Sequence, residues 1–216
     1  MQTPVRIFSL VVLLVFSACY AVSAHAQNRT VLTLPRAEAN KLTEYEKQLR
    51  LDLEIPPDAK KIRFYFAGPP ADAKVDRTLI LNTSGMSSVT AVDYGDRSHP
   101  DINKNWIVNF GVERVLKESE FLAKAAREAC KKAYLNAIYE LREKAVRVGG
   151  DAVIGILSGA LEGKGFAAEY KFYASHDLFL CTVKEGIVHF DKKFDLTRSG
   201  LIADVALRGD TVRFKK

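Results

Sequence analysis

The most regular apolar pattern in the chain is Leu122, Ala126, Ala129, Cys130, Ala133, Ala137, Leu141, Ala145 and Val148. These positions recur at steps of three and four, the spacing of one stripe on a helix. They predict a helix over roughly residues 119–148. The opposite face carries Lys124, Glu128, Lys131, Lys132, Glu140, Glu143, Lys144 and Arg147. Glu128 and Lys132, Glu140 and Lys144, and Glu143 and Arg147 stand four apart, the spacing of favourable helix ion pairs. Gly149 and Gly150 stop the helix, because glycine takes the left-handed C-terminal conformation without steric cost. A stripe so rich in alanine lets the helix axis lie close to whatever it covers, which we expect to be a sheet.

Elsewhere the pattern reads as strand and turn. Residues 62–67 are aromatic and β-rich, and Gly68-Pro69-Pro70 closes them. Residues 78–83 read as a strand, 87–93 as a weaker one, 94–104 as a polar loop and 105–110 as a further strand. After Gly150 every segment reads β: 151–157 as a buried type, 166–173 by alternation, then 177–184, 187–194 and 201–207. Gly or a polar turn separates each from the next, and strands joined by such short turns pair antiparallel. The expected class is α+β: an antiparallel sheet covered by one long amphipathic helix. Residues 61–216 form that domain, and 27–60 form a polar, helix-leaning N-terminal extension that Pro56-Pro57 ends.

Residues 1–26 are set apart from this plan. Arg6 is their only charge, an apolar run follows from Ile7, and Ala24-His25-Ala26 is a small-residue cleavage site. The pattern is a secretory signal cut between Ala26 and Gln27. An alternative cut at Phe16-Ser17-Ala18-Cys19 would lipidate Cys19, though Phe suits the first position of such a site poorly. The expected location is periplasmic or secreted, with a membrane anchor only if Cys19 is lipidated. The full chain has a net charge of +6, and removing Arg6 leaves +5, a mildly basic surface suited to ordinary solubility. About 190 remaining residues are enough for one sizeable core.

Few motifs carry chemistry. Gly159-Ala-Leu-Glu-Gly-Lys-Gly165 follows a strand as a phosphate loop would. Such a loop needs four residues between its glycines, then Lys and Ser or Thr, and it must open a helix. Here three residues separate Gly159 from Gly163, Gly165 stands where the hydroxyl belongs, and a strand follows. The stretch is expected to be a flexible hairpin connection, with no nucleotide site. Lys164-Gly165-Phe166-Ala167 begins like an RNA-recognition strand, but Ala168 and Glu169 break the motif, so no nucleic acid is expected. Arg208-Gly209-Asp210 reads most simply as a turn.

Ser158, in Gly155-Ile-Leu-Ser-Gly159, lacks the elbow spacing of a serine hydrolase. Asp93, Asp96, His99 and Asp101 share one loop and are weak candidates for holding a cation. His189 and Asp191 share a strand face, while His176 and Asp177 sit at a turn. No catalytic residue, cofactor or redox motif is expected.

The segment 127–156, REACKKAYLNAIYELREKAVRVGGDAVIGI, resembles the helix–glycine–strand core of the small YbjQ-type proteins, often labelled heavy-metal-binding. The envelope-stress lipoprotein RcsF has a similar core. A closer resemblance is to small exported proteobacterial proteins that carry the label "excinuclease ATPase subunit". These are similar at LTLPRAEA (32–39), IRFYF (62–66), the cysteine-bearing helix and VALRGDTV (205–212). That label requires ATP-binding loops and zinc fingers, which this sequence lacks, so it reads as a misnomer. The resemblance implies a fold and a secreted family, and no active site.

Two function classes remain. The first is an exported, non-enzymatic cell-envelope protein that binds a protein, a polymer or a membrane surface; the alternative is a periplasmic metal- or small-ligand-binding module. Once the signal is removed, Cys130 and Cys181 are the two cysteines left, and an oxidising compartment favours pairing them. The similar proteins also carry one cysteine in the helix and one in a late strand. Both alternating sets of residues 178–183 are largely apolar, so the pattern does not say which set faces the helix. A bridge closing about fifty residues would contribute on the order of 2–4 kcal/mol.

Overall fold

In the computed structural model, residues 29–52, 61–96, 112–163, 167–193 and 196–215 are described; at 94–96, 112–119 and 196 only the backbone path is. In chain order the elements are β1 (Arg29–Pro35), α1 (Arg36–Ala39), α2 (Thr43–Asp52), β2 (Arg63–Tyr65) and β3 (Val75–Asp96). There follow α3 (Val112–Arg147), β4 (Ala152–Glu162), β5 (Glu169–Ala174), β6 (Leu178–Asp191) and β7 (Leu196–Phe214). The expected signal region with its expected cleavage site at Ala26 and Gln27, Cys19, and the expected strand at 105–110 all lie outside the described residues.

Among the described residues, β7 is the spine of a seven-stranded, mostly antiparallel sheet. Along one edge it pairs with β3. Along the other it pairs first with β6 and then with β4. β6 carries β1 on its far side, and β4 carries β5. One pair departs from the expected antiparallel plan: β2 runs parallel to β4, with Arg63 opposite Ala152. The chain returns from β2 to β4 through α3, and a long crossover is what a parallel pair needs.

Several expected strands are merged. Residues 78–83 and 87–93 belong to the single strand β3, and the expected strands at 177–184 and 187–194 merge into β6, which runs Leu178–Asp191. The glycines read as turns instead mark close approach. A Cβ at Gly200 would lie 1.9 Å from the Val92 carbonyl oxygen, and one at Gly209 would lie 2.9 Å from that of Ile154. Arg208-Gly209-Asp210 is therefore not a turn but the middle of β7, where only hydrogen fits between two backbones. The GALEGKG stretch divides as well. Its first four residues extend β4, and Gly163, at φ +93°, begins the connection to the antiparallel partner β5.

The long helix buries Ala126, Ala129, Cys130, Ala133, Ala137, Leu141 and Ala145 of the stripe, mostly against β3 and β7, whereas Leu122 is half-buried and Val148, past the helix end, is exposed. It is longer at its N-terminus than the stripe indicated. Its end is set by the glycine pair: the Gly150 amide donates to the Ala145 carbonyl at 2.9 Å, with Gly149 at φ +69°. Glu140 with Lys144 and Glu143 with Arg147 form as expected. Glu128 does not pair with Lys132 but with Lys131, which also reaches Glu38, while Lys132 lies over the Tyr45 ring. The α1–α2 segment offers these alternative partners.

Tyr134, Leu135, Ile138 and Tyr139, off the alanine stripe, are buried too. The segment read as a polar extension contributes to covering them. Its β1 pairs with β6, and its Leu34, Ala39 and Leu49 join the same core. Cys130 and Cys181 form the disulfide, with Cα atoms 5.8 Å apart and both residues fully buried. Phe179, Cys181 and Val183 are the inward set of β6. Thr182, on the other face, is equally buried because β4 and β6 meet beside β7.

Candidate binding groove

Residues 62–66 alternate, and Ile62, Phe64 and Phe66 fall on the side facing α3. Tyr65 turns the other way, edge-on to Phe214 at 6.2 Å between ring centroids. On α3 the off-stripe residues Tyr134, Ile138 and Arg142 stand one turn apart and meet those phenylalanines. The α1–α2 segment closes the third side. Two adjoining hollows of about 420 Å³ and 210 Å³ result, and they share Asn40, Phe66 and Tyr134.

Guanidinium groups stack on the aromatic walls. The Arg36 carbon Cζ lies 3.4 Å from the centroid of Phe66. Arg142 lies 5.1 Å from Phe64 and 4.7 Å from Tyr139. Such contacts are worth about 0.5–2 kcal/mol each, more as they are desolvated. Tyr134 stacks on Phe179 with centroids 4.4 Å apart, and burial pushes its hydroxyl up to about 12 despite the nearby Arg36 charge.

A polar knot holds α2 to α3. The Tyr139 hydroxyl donates to Glu46 Oε1 at 2.5 Å and accepts from Arg50 Nε at 2.5 Å. Arg50 Nη2 donates to the same Glu46 oxygen at 2.6 Å. Burial tends to raise the Glu46 carboxyl, but the hydrogen bonds from Arg50 and Tyr139, with the Arg50 and Arg142 charges, bring it below its usual value. Tyr139 itself is raised, first by burial and then by its bond to Glu46. Nearby, the Tyr45 hydroxyl donates to Asn136 Oδ1 at 2.9 Å. The arrangement can grip flat or apolar groups between aromatic and guanidinium faces.

Of the residues singled out from sequence, Asp177 lines the larger hollow; the others described below lie away from the groove. Asp93 sits on β3 opposite Gly200 and pairs with Arg198 at 3.4 Å. Asp96 is at the end of β3, opposite Arg198; His99 and Asp101 lie outside the described residues. Among the described residues, no three His, Cys, Asp or Glu side chains come together as metal ligands. Asp191 accepts from the Lys193 amide in a turn at 2.8 Å, and Asp177 forms an ion pair with Arg36 at 3.7 Å. Ser158 is buried and accepts from the Leu180 amide at 2.8 Å. Thr182 Oγ1 likewise accepts from the Leu161 amide at 3.0 Å, so these two hydroxyls join β4 to β6.

Sequence reasoning missed the groove. Its signal was the alternation Ile62, Phe64, Phe66 together with two tyrosines off the helix stripe, and neither half is interpretable without the other. No protein-family model, curated protein or solved structure matches this chain.

Proposed function

We propose that this protein is exported and non-enzymatic, and that it binds a protein or polymer of the cell envelope through the groove between α1–α2, β2 and α3. The observation that carries the reading is the wall of Phe64, Phe66, Tyr134, Arg36 and Arg142 around adjoining hollows. Aromatic and arginine side chains are the residues that most often dominate binding energy at interfaces. Export rests on the signal-like pattern of residues 1–26. Among the described residues no helix is long and apolar enough to cross a membrane.

Site-specific photocrosslinking in the native envelope tests this. A crosslinker in place of Phe66 should give a discrete adduct, whereas one in place of the exposed Lys124 should not. No adduct, or the same adduct from both positions, would overturn the assignment of the groove. N-terminal sequencing tests export separately. A start at Gln27 is expected, and an intact Met1 in the cytoplasm would overturn it.

A further inference from the structure

A third hollow, of about 790 Å³, lies beyond the groove at the C-terminal end of α3. Lys61, Arg63, Lys74 and Lys215 line it, against two carboxylates, Asp72 and Asp151. Asp151 is partly committed, because its Oδ2 accepts from the Phe214 amide at 2.9 Å. Lys74 and Lys215 form no ion pair among the described residues. Backbone pairing holds them at one place: the Lys215 amide donates to the Lys74 carbonyl at 2.9 Å.

The end of a helix is an unpromising place for an anion, because its last carbonyls carry partial negative charge. Here that charge is offset. Arg213 donates through Nη2 at 2.7 Å and through Nε at 3.1 Å to the Gly149 carbonyl. Ile62, Val146 and Phe214 supply an apolar part of the lining.

We infer that this cleft binds a phosphate monoester bearing an apolar portion. A dianionic headgroup matches Lys74 and Lys215, which form no ion pair among the described residues, and Arg63, whose guanidinium already bonds Tyr65, adds positive charge at the rim. The apolar portion lies against Ile62, Val146 and Phe214. The same chemistry is offered by a soluble ester and by a phosphatidic acid headgroup. The cleft shares no lining residue with the two aromatic hollows, so the inference stands apart from the function proposed for them.

Calorimetric titration of the mature chain with 2-naphthyl phosphate, and co-sedimentation with phosphatidylcholine vesicles with and without phosphatidic acid, test it. Saturable binding to either phosphate probe is expected, and which probe binds identifies the source. The Lys74→Ala/Lys215→Ala variant should weaken that binding about tenfold, each lost contact to a charged oxygen being worth a few-fold or more. The exposed Lys124→Ala change should leave it intact. Binding to neither probe would overturn the inference. So would equal binding of 2-naphthol, or a loss no greater in the double variant than in Lys124→Ala.

Discussion

Against the sheet, α3 presents Ala129, Ala133, Ala137 and Ala145, and the two backbones come so close that a Cβ on Gly85 would lie 2.2 Å from the Ala137 carbonyl oxygen. On its other side the same turns present Tyr134, Tyr139 and Arg142 to α1, α2 and β2, with hollows left between them. The first contact is made of small residues at van der Waals distance and is closed covalently at Cys130 and Cys181. The second is made of rings, guanidinium groups and one shared carboxylate. Close packing gains from many weak contacts and tolerates no added volume. A polar and aromatic contact gains from a few directed bonds, and its loss is expected to act locally. The two sides of one helix thus differ in what holds them and in what breaks them.

Removing the bridge should have the largest effect. Cys130→Ala with Cys181→Ala is expected to lower stability by about 3–4 kcal/mol, through the freed unfolded chain, in urea denaturation. A loss under about 1 kcal/mol would remove the covalent term from the comparison. Gly85→Ala should follow at about 2–3 kcal/mol, because backbone rather than a movable side chain meets the new methyl group. Both changes should lower the global transition as a whole.

On the other side, Tyr139→Phe should cost about 1 kcal/mol, since Glu46 and Arg50 keep each other as partners. Its effect should be local. Amide exchange should accelerate in α2 and remain unchanged in β7; equal acceleration in both would erase the distinction between the two sides. Acid gives the mildest test. The folded Glu46 carboxyl is depressed below 4.5, so its contribution is full above that value and is lost as pH falls through the folded one. Exchange in α2 should therefore rise as pH falls through the depressed Glu46 titration, before the sheet responds. A Glu46→Gln variant should lack this acid step; its persistence there would assign the step to another group.

The alanine stripe, its glycine stop and the pairing of two cysteines were legible because each is a local regularity or a matter of composition. A helix with period 3.6 declares its buried face through its own residues, and Gly149-Gly150 ends it through backbone geometry alone. Strand boundaries were less legible, because glycine has two uses. At Gly85, Gly200 and Gly209 it admits a neighbouring backbone within a strand, and that neighbour is distant in sequence. The same limit applied to β6. Both faces of residues 178–183 are apolar, and only the docking of α3 makes Cys181 and Phe179 the inward set. It applied most strongly to the groove. The polar segment from Arg29 to Asp52 contains few signs of burial, yet β1 pairs with β6 and Glu46 and Arg50 meet Tyr139 across 93 and 89 residues of sequence. By itself the sequence determined the elements with a repeating pattern. The tertiary structure decided which side of α3 became a closed core and which an open groove, because directed contacts between distant residues leave no period to read.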